Sequence, residues 1–210
     1  MKKIIVLSLL SLIAFCLAAQ TPRDEAIQSL ESAKKLLQQE NYSKAQDEIN
    51  YATGKINEIL SEQLVLFVPD APIGFTLEDK NAQGLGQMGS LFGSANAITA
   101  TGNYSRENSD GSSSEMVLTI SIGGLLGKAA GLAAMGQMFS GSGSGTSSKT
   151  IRVAGYNATQ EFSAEENVAK LTVQVGEKVS VIVDGDNLDK PEIMKALVEK
   201  IDLAKLEKAF

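Results

Sequence analysis

Residues 168–183 carry the pattern that most constrains the fold. Val168-Ala169-Lys170-Leu171-Thr172-Val173-Gln174-Val175 and Lys178-Val179-Ser180-Val181-Ile182-Val183 are two β-branched-rich runs separated by Gly176-Glu177. Val168, Leu171, Val173 and Val175 mix with polar neighbours in a near two-residue alternation, the period of a strand with one buried face. Glycine at the first central position suits a type II′ turn, which needs positive φ there. The pair predicts a β-hairpin in a sheet core, and it carries no chemistry of its own.

The first residues have a different character. Lys2 and Lys3 precede an apolar run from Ile4 to Leu17, and Ala18-Ala19 follow. Those are the charged, apolar and small-residue regions of a secretory signal peptide, with cleavage expected near Ala18-Ala19 and a periplasmic or secreted destination. A lipoprotein reading would use Cys16, but Phe15 is too large to precede a lipidated cysteine. The run is short for a membrane span, which needs about twenty apolar residues. Cleavage removes Cys16, the only cysteine of the 210 residues, so no thiol or disulfide chemistry is expected of the remainder. The 19 basic residues less the two leader lysines leave 17 against 25 acids, a net charge of about −8. Such a surface repels phosphate backbones and disfavours nucleic acid as a partner. The sequence has no histidine, the side chain most used as a metal ligand and as a general base near neutral pH.

Thr21-Pro22-Arg23-Asp24 predicts a helix start, with threonine as cap and proline in the first turn. Ala26, Ile27, Leu30, Ala33, Leu36 and Leu37 recur at helical spacing to about Gln39. Ser43 with Gln46 offers a capping box for a second helix, whose inner face would be Ala45, Ile49, Ala52, Ile56, Leu60 and Leu64, ending before Pro69. The expectation is an antiparallel helical hairpin over residues 20–68. Asn41-Tyr42-x-x-Ala45, followed by Ile49 and Ala52, resembles the turn and second helix of a tetratricopeptide repeat, over about 35 residues. Such repeats bury a continuous core when several stack, and the sequence holds no second copy. The other reading is an amphipathic hairpin docked on the next domain or on a second subunit, because a lone hairpin cannot bury its own face.

Val68-Pro69-Asp70-Ala71-Pro72-Ile73-Gly74-Phe75 is a proline-rich joint that forbids helix, and residues 69–210 follow as the expected sheet domain. Residues 77–92 suggest a short helix loosened by Gly84, Gly86 and Gly89. Strands are expected at Ile98 to Glu107, Glu115 to Ile122, Lys149 to Val153 and Tyr156 to Phe162, before the opening hairpin. Asp189 with Glu192 predicts a helix cap, with Ile193, Leu197, Val198 and Ile201 facing inward, and Asp202 restarts a last turn toward Phe210. The fold class is therefore α+β: a helical hairpin, then an antiparallel sheet of about six strands flanked by helices. Pro72-x-Gly74-Phe75, ahead of these strands and a closing helix, resembles the opening of Mog1/PsbP-like exported bacterial modules. The resemblance implies a binding or assembly role and supplies no functional residue.

Residues 123–148 form a Gly/Ala/Ser-rich insertion. Gly123, Gly127 and Gly131 stand four apart, a smooth strip if helical, and Leu125, Leu126, Leu132, Met135, Met138 and Phe139 fall largely off it. These six are the candidate binding surface, either a mobile apolar helix or a core helix packed on the sheet. Other motifs fail on context. Gly84-x-Gly86-x-x-Gly89 has no strand before it and no βαβ unit around it. Gly123-x-x-x-Gly127-Lys128-Ala129 misses a phosphate loop in spacing and lacks the magnesium-binding hydroxyl. Asp184, Asp186 and Asp189 hint at weak calcium binding, although three key positions of a calcium loop are wrong. No serine or carboxylate stands out as a catalyst without histidine, so no catalytic residue, metal or cofactor is expected.

The function expected is that of a non-enzymatic envelope protein that binds another envelope protein or itself, using the hairpin (Ala26, Leu30, Leu37, Ile49, Ile56) and the insertion. The alternative is a carrier of a lipid or other apolar ligand beneath residues 123–139. Deleting residues 21–68 is expected to leave a folded sheet domain.

Overall fold

The computed structural model describes residues 20–84, 97–123, 146–188 and 190–210. Residues 1–19, most of the Gly84–Gly89 motif, Asp189, and the stretch 124–145 with Leu125, Leu126, Leu132, Met135, Met138 and Phe139 lie outside them. Two compact units divide the chain, one ending at Ile59 and one running from Leu60 to Phe210.

The first unit is the helical hairpin. Helix α1 spans Pro22–Gln38; the Thr21 hydroxyl accepts the Asp24 N–H at 3.2 Å, with Pro22 in the first turn as the cap pattern requires. Helix α2 spans Tyr42–Leu64. Its start differs from the expected Ser43–Gln46 box: the helix already includes Tyr42, and the Asn41 side-chain oxygen accepts the Lys44 N–H at 3.4 Å. Asparagine caps as well as serine does, and the one nearer the turn is used. Ala26, Ser29 and Ala33 of α1 and Ala45 and Ala52 of α2 are buried.

The second unit is an antiparallel sheet of seven strands, one more than expected: β1 Thr76–Gly84, β2 Ile98–Glu107, β3 Ser113–Ile122, β4 Thr146–Val153, β5 Tyr156–Ser163, β6 Val168–Val175 and β7 Val179–Asp186, in the order β1-β2-β3-β7-β6-β5-β4. The extra strand is β1, where a short helix was expected. Its polar centre, Glu78-Asp79-Lys80, has no strand-like alternation because β1 is an edge strand with almost every residue exposed, and charged edges are how sheets avoid further pairing. Hairpin β6–β7 lies where the opening pattern puts it. Gly176 has φ +60, but Val175 pairs with Val179, so the loop has three residues and Lys178 belongs to it.

One face of the sheet carries the core. Met116, Leu118, Ile120 and Ile122 of β3 pair with Gly185, Val183, Val181 and Val179 of β7, which pair in turn with Ala169, Leu171, Val173 and Val175 of β6; nearly all are buried below 5 %. Helix α3, Glu192–Val198, packs on β7 and helix α4, Leu203–Ala209, on β6. Helix α3 begins after Pro191, which makes no side-chain cap bond; the expected Asp189 cap lies outside the described residues. Asp202 does cap α4, accepting the Lys205 N–H at 2.9 Å. Leu64, Val68 and Phe75 complete the same core, and the Tyr104 hydroxyl donates to the Pro69 carbonyl at 2.8 Å. Burial, with the Asp70 charge adding, pushes that phenol far above its ordinary pKa.

Candidate functional site

Three surfaces of the described residues present chemistry to a partner. The first is one flank of the helical hairpin. At 3.6 residues per turn, Ile27, Leu30 and Leu37 fall on one side of the Ala26–Ala33 row. Ile49 and Ile56 fall on the same rotational side of the Ala45–Ala52 row, and in antiparallel helices the two sides meet on one surface. Each of these five aliphatic residues is 36–48 % exposed. Among the described residues, seven of the eleven large hydrophobic side chains left exposed lie in the hairpin, which makes it the place where apolar surface most needs a cover.

The opposite flank of the hairpin is polar and tied together. The Tyr51 hydroxyl donates to Glu25 Oε2 at 2.5 Å, and the Lys55 ammonium lies 3.0 Å from the same oxygen and 3.2 Å from Glu58. The Tyr51 hydrogen bond, followed by that of Lys55, holds the Glu25 carboxyl below the usual carboxylate range, and the same bond from Glu25 raises the Tyr51 phenol. The two contacts to Glu25 bridge residues 26 and 30 apart in the chain and tie α1 to α2.

The second surface is the sheet face away from α3 and α4. Thr101, Thr119, Ile182, Thr172, Thr159 and Thr150 form one cross-strand row. Beside it Ser121 pairs with Ser180, and both hydroxyls are buried without a hydrogen-bond partner among the described residues. Toward the other end of these strands a groove of about 690 Å³ is lined by Glu115, Val117, Glu161, Glu166, Val168, Asp184 and Asp186, among others. Among the described residues its acids outnumber the one cation that lines it, Lys170, whose ammonium sits 3.1 Å from Asp184. The two described aspartates of the calcium reading are thus here, Asp184 in an ion pair. Among the described residues no three of His, Cys, Asp and Glu group as metal ligands. The third surface is a cleft of about 450 Å³ beside the Phe67–Phe210 edge-to-face pair, with Leu66 and Lys205 on its wall.

The six insertion residues from Leu125 to Phe139 lie outside the described residues. The hairpin residues are brought together as expected, with one division the sequence reading missed. Ala26 is buried in the seam, whereas Leu30, Leu37, Ile49 and Ile56 stand out of it. The signal was present in the spacing: small and large residues alternate in four-three steps, and the small ones are those buried between the two helices. No helix among the described residues is long and apolar enough to cross a membrane.

The fold and this surface define an α+β protein with a helical hairpin that bears an uncovered aliphatic flank. Comparison with family models, with curated proteins and with solved structures gives no match.

Proposed function

We propose that the protein is an exported, non-enzymatic bacterial envelope protein that acts as a protein-interaction or assembly module, its contact surface the aliphatic flank of the helical hairpin. The observation that carries this reading is the set Ile27, Leu30, Leu37, Ile49 and Ile56, half-exposed on one side of a pair whose other side is closed by the Glu25–Tyr51–Lys55 cluster. Apolar side chains aligned at helical spacing are the form in which helical surfaces are read by polypeptide partners. Export is supported by Lys2-Lys3, the apolar run and Ala18-Ala19. A binding role is supported by a sequence without histidine, in which no nucleophile has its usual base.

Native mass spectrometry of the chain taken from its own envelope fraction tests the reading. A complex with polypeptide is expected, lost in Leu30→Asp while far-UV circular dichroism keeps the helical signal. A bound apolar small molecule that disappears on deleting residues 123–148 would overturn it in favour of a carrier.

A further inference from the structure

The small and large residues of the hairpin repeat in register. Ala26, Leu30, Ala33 and Leu37 on α1, and Ala45, Ile49, Ala52 and Ile56 on α2, are spaced four, three and four apart. That is the seven-residue repeat of helices packed knobs into holes, with alanine at one core position and leucine or isoleucine at the other. Two helices use only half of it. The alanines are 0–5 % exposed in the seam, and the large residues are left 36–48 % exposed beside it. A second layer of helices would cover the large residues that the seam leaves out.

From these repeats we propose that the uncovered flank is an interface between two copies of this chain, their hairpins stacking about a two-fold axis into an antiparallel four-helix bundle. The proposal rests on the interaction reading above and names its partner. A self-complementary patch is what an isologous contact needs, and α1 and α2 carry the same small–large pattern.

Area and charge agree with this occupant. Five side chains a little under half exposed present about 400 Å² of apolar surface per copy, the size of the largest patch on a typical monomer, which is often functional. Two copies would hide about 800 Å², which at a typical apolar share of ~60 % implies an interface of about 1,300 Å², within the size of specific ones. The chain carries a net charge of −6, yet most hairpin acids, Glu25, Asp47, Glu48 and Glu58 among them, lie off this flank by helical spacing. By the same spacing Arg23 and Lys34 fall within the flank on α1 with Glu31 at its edge, and the edge on α2 is the uncharged Gln46, Asn50 and Thr53. An identical copy that sets α1 against this uncharged edge meets no like-charge wall.

Sedimentation equilibrium of the purified full chain, with Leu30→Asp, Ile49→Asp and the off-flank control Gln28→Asp, tests the proposal. A dimer is expected for the parent and the control. Each flank variant is expected to weaken it about 100-fold or more, because every substitution counts twice in a two-fold interface and buries a charge. A second measurement covers the case in which Asp disturbs the hairpin. Ile49→Cys in a Cys16→Ser background places one thiol per chain near the axis, and mild oxidation is expected to yield a disulfide-linked dimer in which parental helicity is kept. A parent that is monomeric at all concentrations and gives no linked dimer overturns self-pairing. If that monomer still holds a different polypeptide that Leu30→Asp releases, only the identity of the partner falls; if it holds none, the interaction reading falls with it.

Discussion

Glu25 ties α1 to α2 through Tyr51 and Lys55, and its titration is a direct probe of that tie. Its folded-state pKa lies below the ordinary carboxylate value because the Tyr51 hydroxyl, and then Lys55, bind the charged form. A depressed acid contributes stability above the unfolded pKa and loses it as pH falls through the folded one. Tyr51 has the opposite sign: its raised pKa contributes stability at lower pH that is lost as pH rises through the folded value. Hairpin stability should therefore fall on acidification below the carboxylate range and again at strongly alkaline pH. Tyr51→Phe removes the first cause of both shifts. NMR titration of the Glu25 carboxyl should then move up toward that of free glutamate, and an unmoved titration would mean that Lys55 alone sets it. None of this was legible in the sequence, where Glu25, Tyr51 and Lys55 are three unremarkable polar residues. Their meeting follows from the chain reversal at residues 39–41, which a helical period predicts only in outline.

At the scale of elements, strands with a buried face were legible and edges were not. Met116, Leu118 and Ile120 alternate with polar residues because one side of β3 is core. Strand β1 shows no such period because neither of its sides is deeply covered, and a sequence pattern reports burial before it reports backbone shape. Register carries a second constraint, one that composition hides. Gly185 lies between Met116 of β3 and Ala169 of β6, and a Cβ there would collide with Leu188 Cδ1 and come within 3.3 Å of Met194 Sδ. In the sequence it is only a neighbour of the aspartates of the calcium reading; in the fold it is the seat of Leu188. Gly185→Ala should destabilise by about 1–3 kcal/mol, the range for overpacking a close-packed site. The check is the urea midpoint at unchanged slope, and a midpoint equal to the parent's would show that Leu188 moves aside freely. The six residues of the candidate binding surface lie outside the described residues, and the hairpin's aliphatic flank was legible for the same reason as β3, a clear period. It was misread in detail because helical spacing alone does not separate residues in a seam from those beside it.

For the whole molecule, the two compact units meet in sequence at Ile59 and Leu60, inside helix α2, and the proline-rich joint lies within the second unit. This changes what a deletion of residues 21–68 should do. Leu64 is 0 % and Val68 3 % exposed in the sheet core, and Val68 occupies the space over Gly102, where a Cβ would stand 2.6 Å from Val68 Cγ1. Removing both side chains costs about 2–5 kcal/mol for each large-to-small cavity, or roughly 4–10 kcal/mol together. A domain of this size has a total stability of only about 5–15 kcal/mol. A chain of residues 69–210 should therefore fail to unfold cooperatively in urea, whereas residues 60–210, which keep Leu64 and Val68, should show a single cooperative transition. Cooperative unfolding of both would mean that the last turn of α2 is dispensable to the core. Loss of the transition in residues 60–210 would mean that the stability of the sheet depends on residues before Leu60. Residues 60–210 are the second compact unit, so this pair of chains tests the division on which a separate contact surface depends.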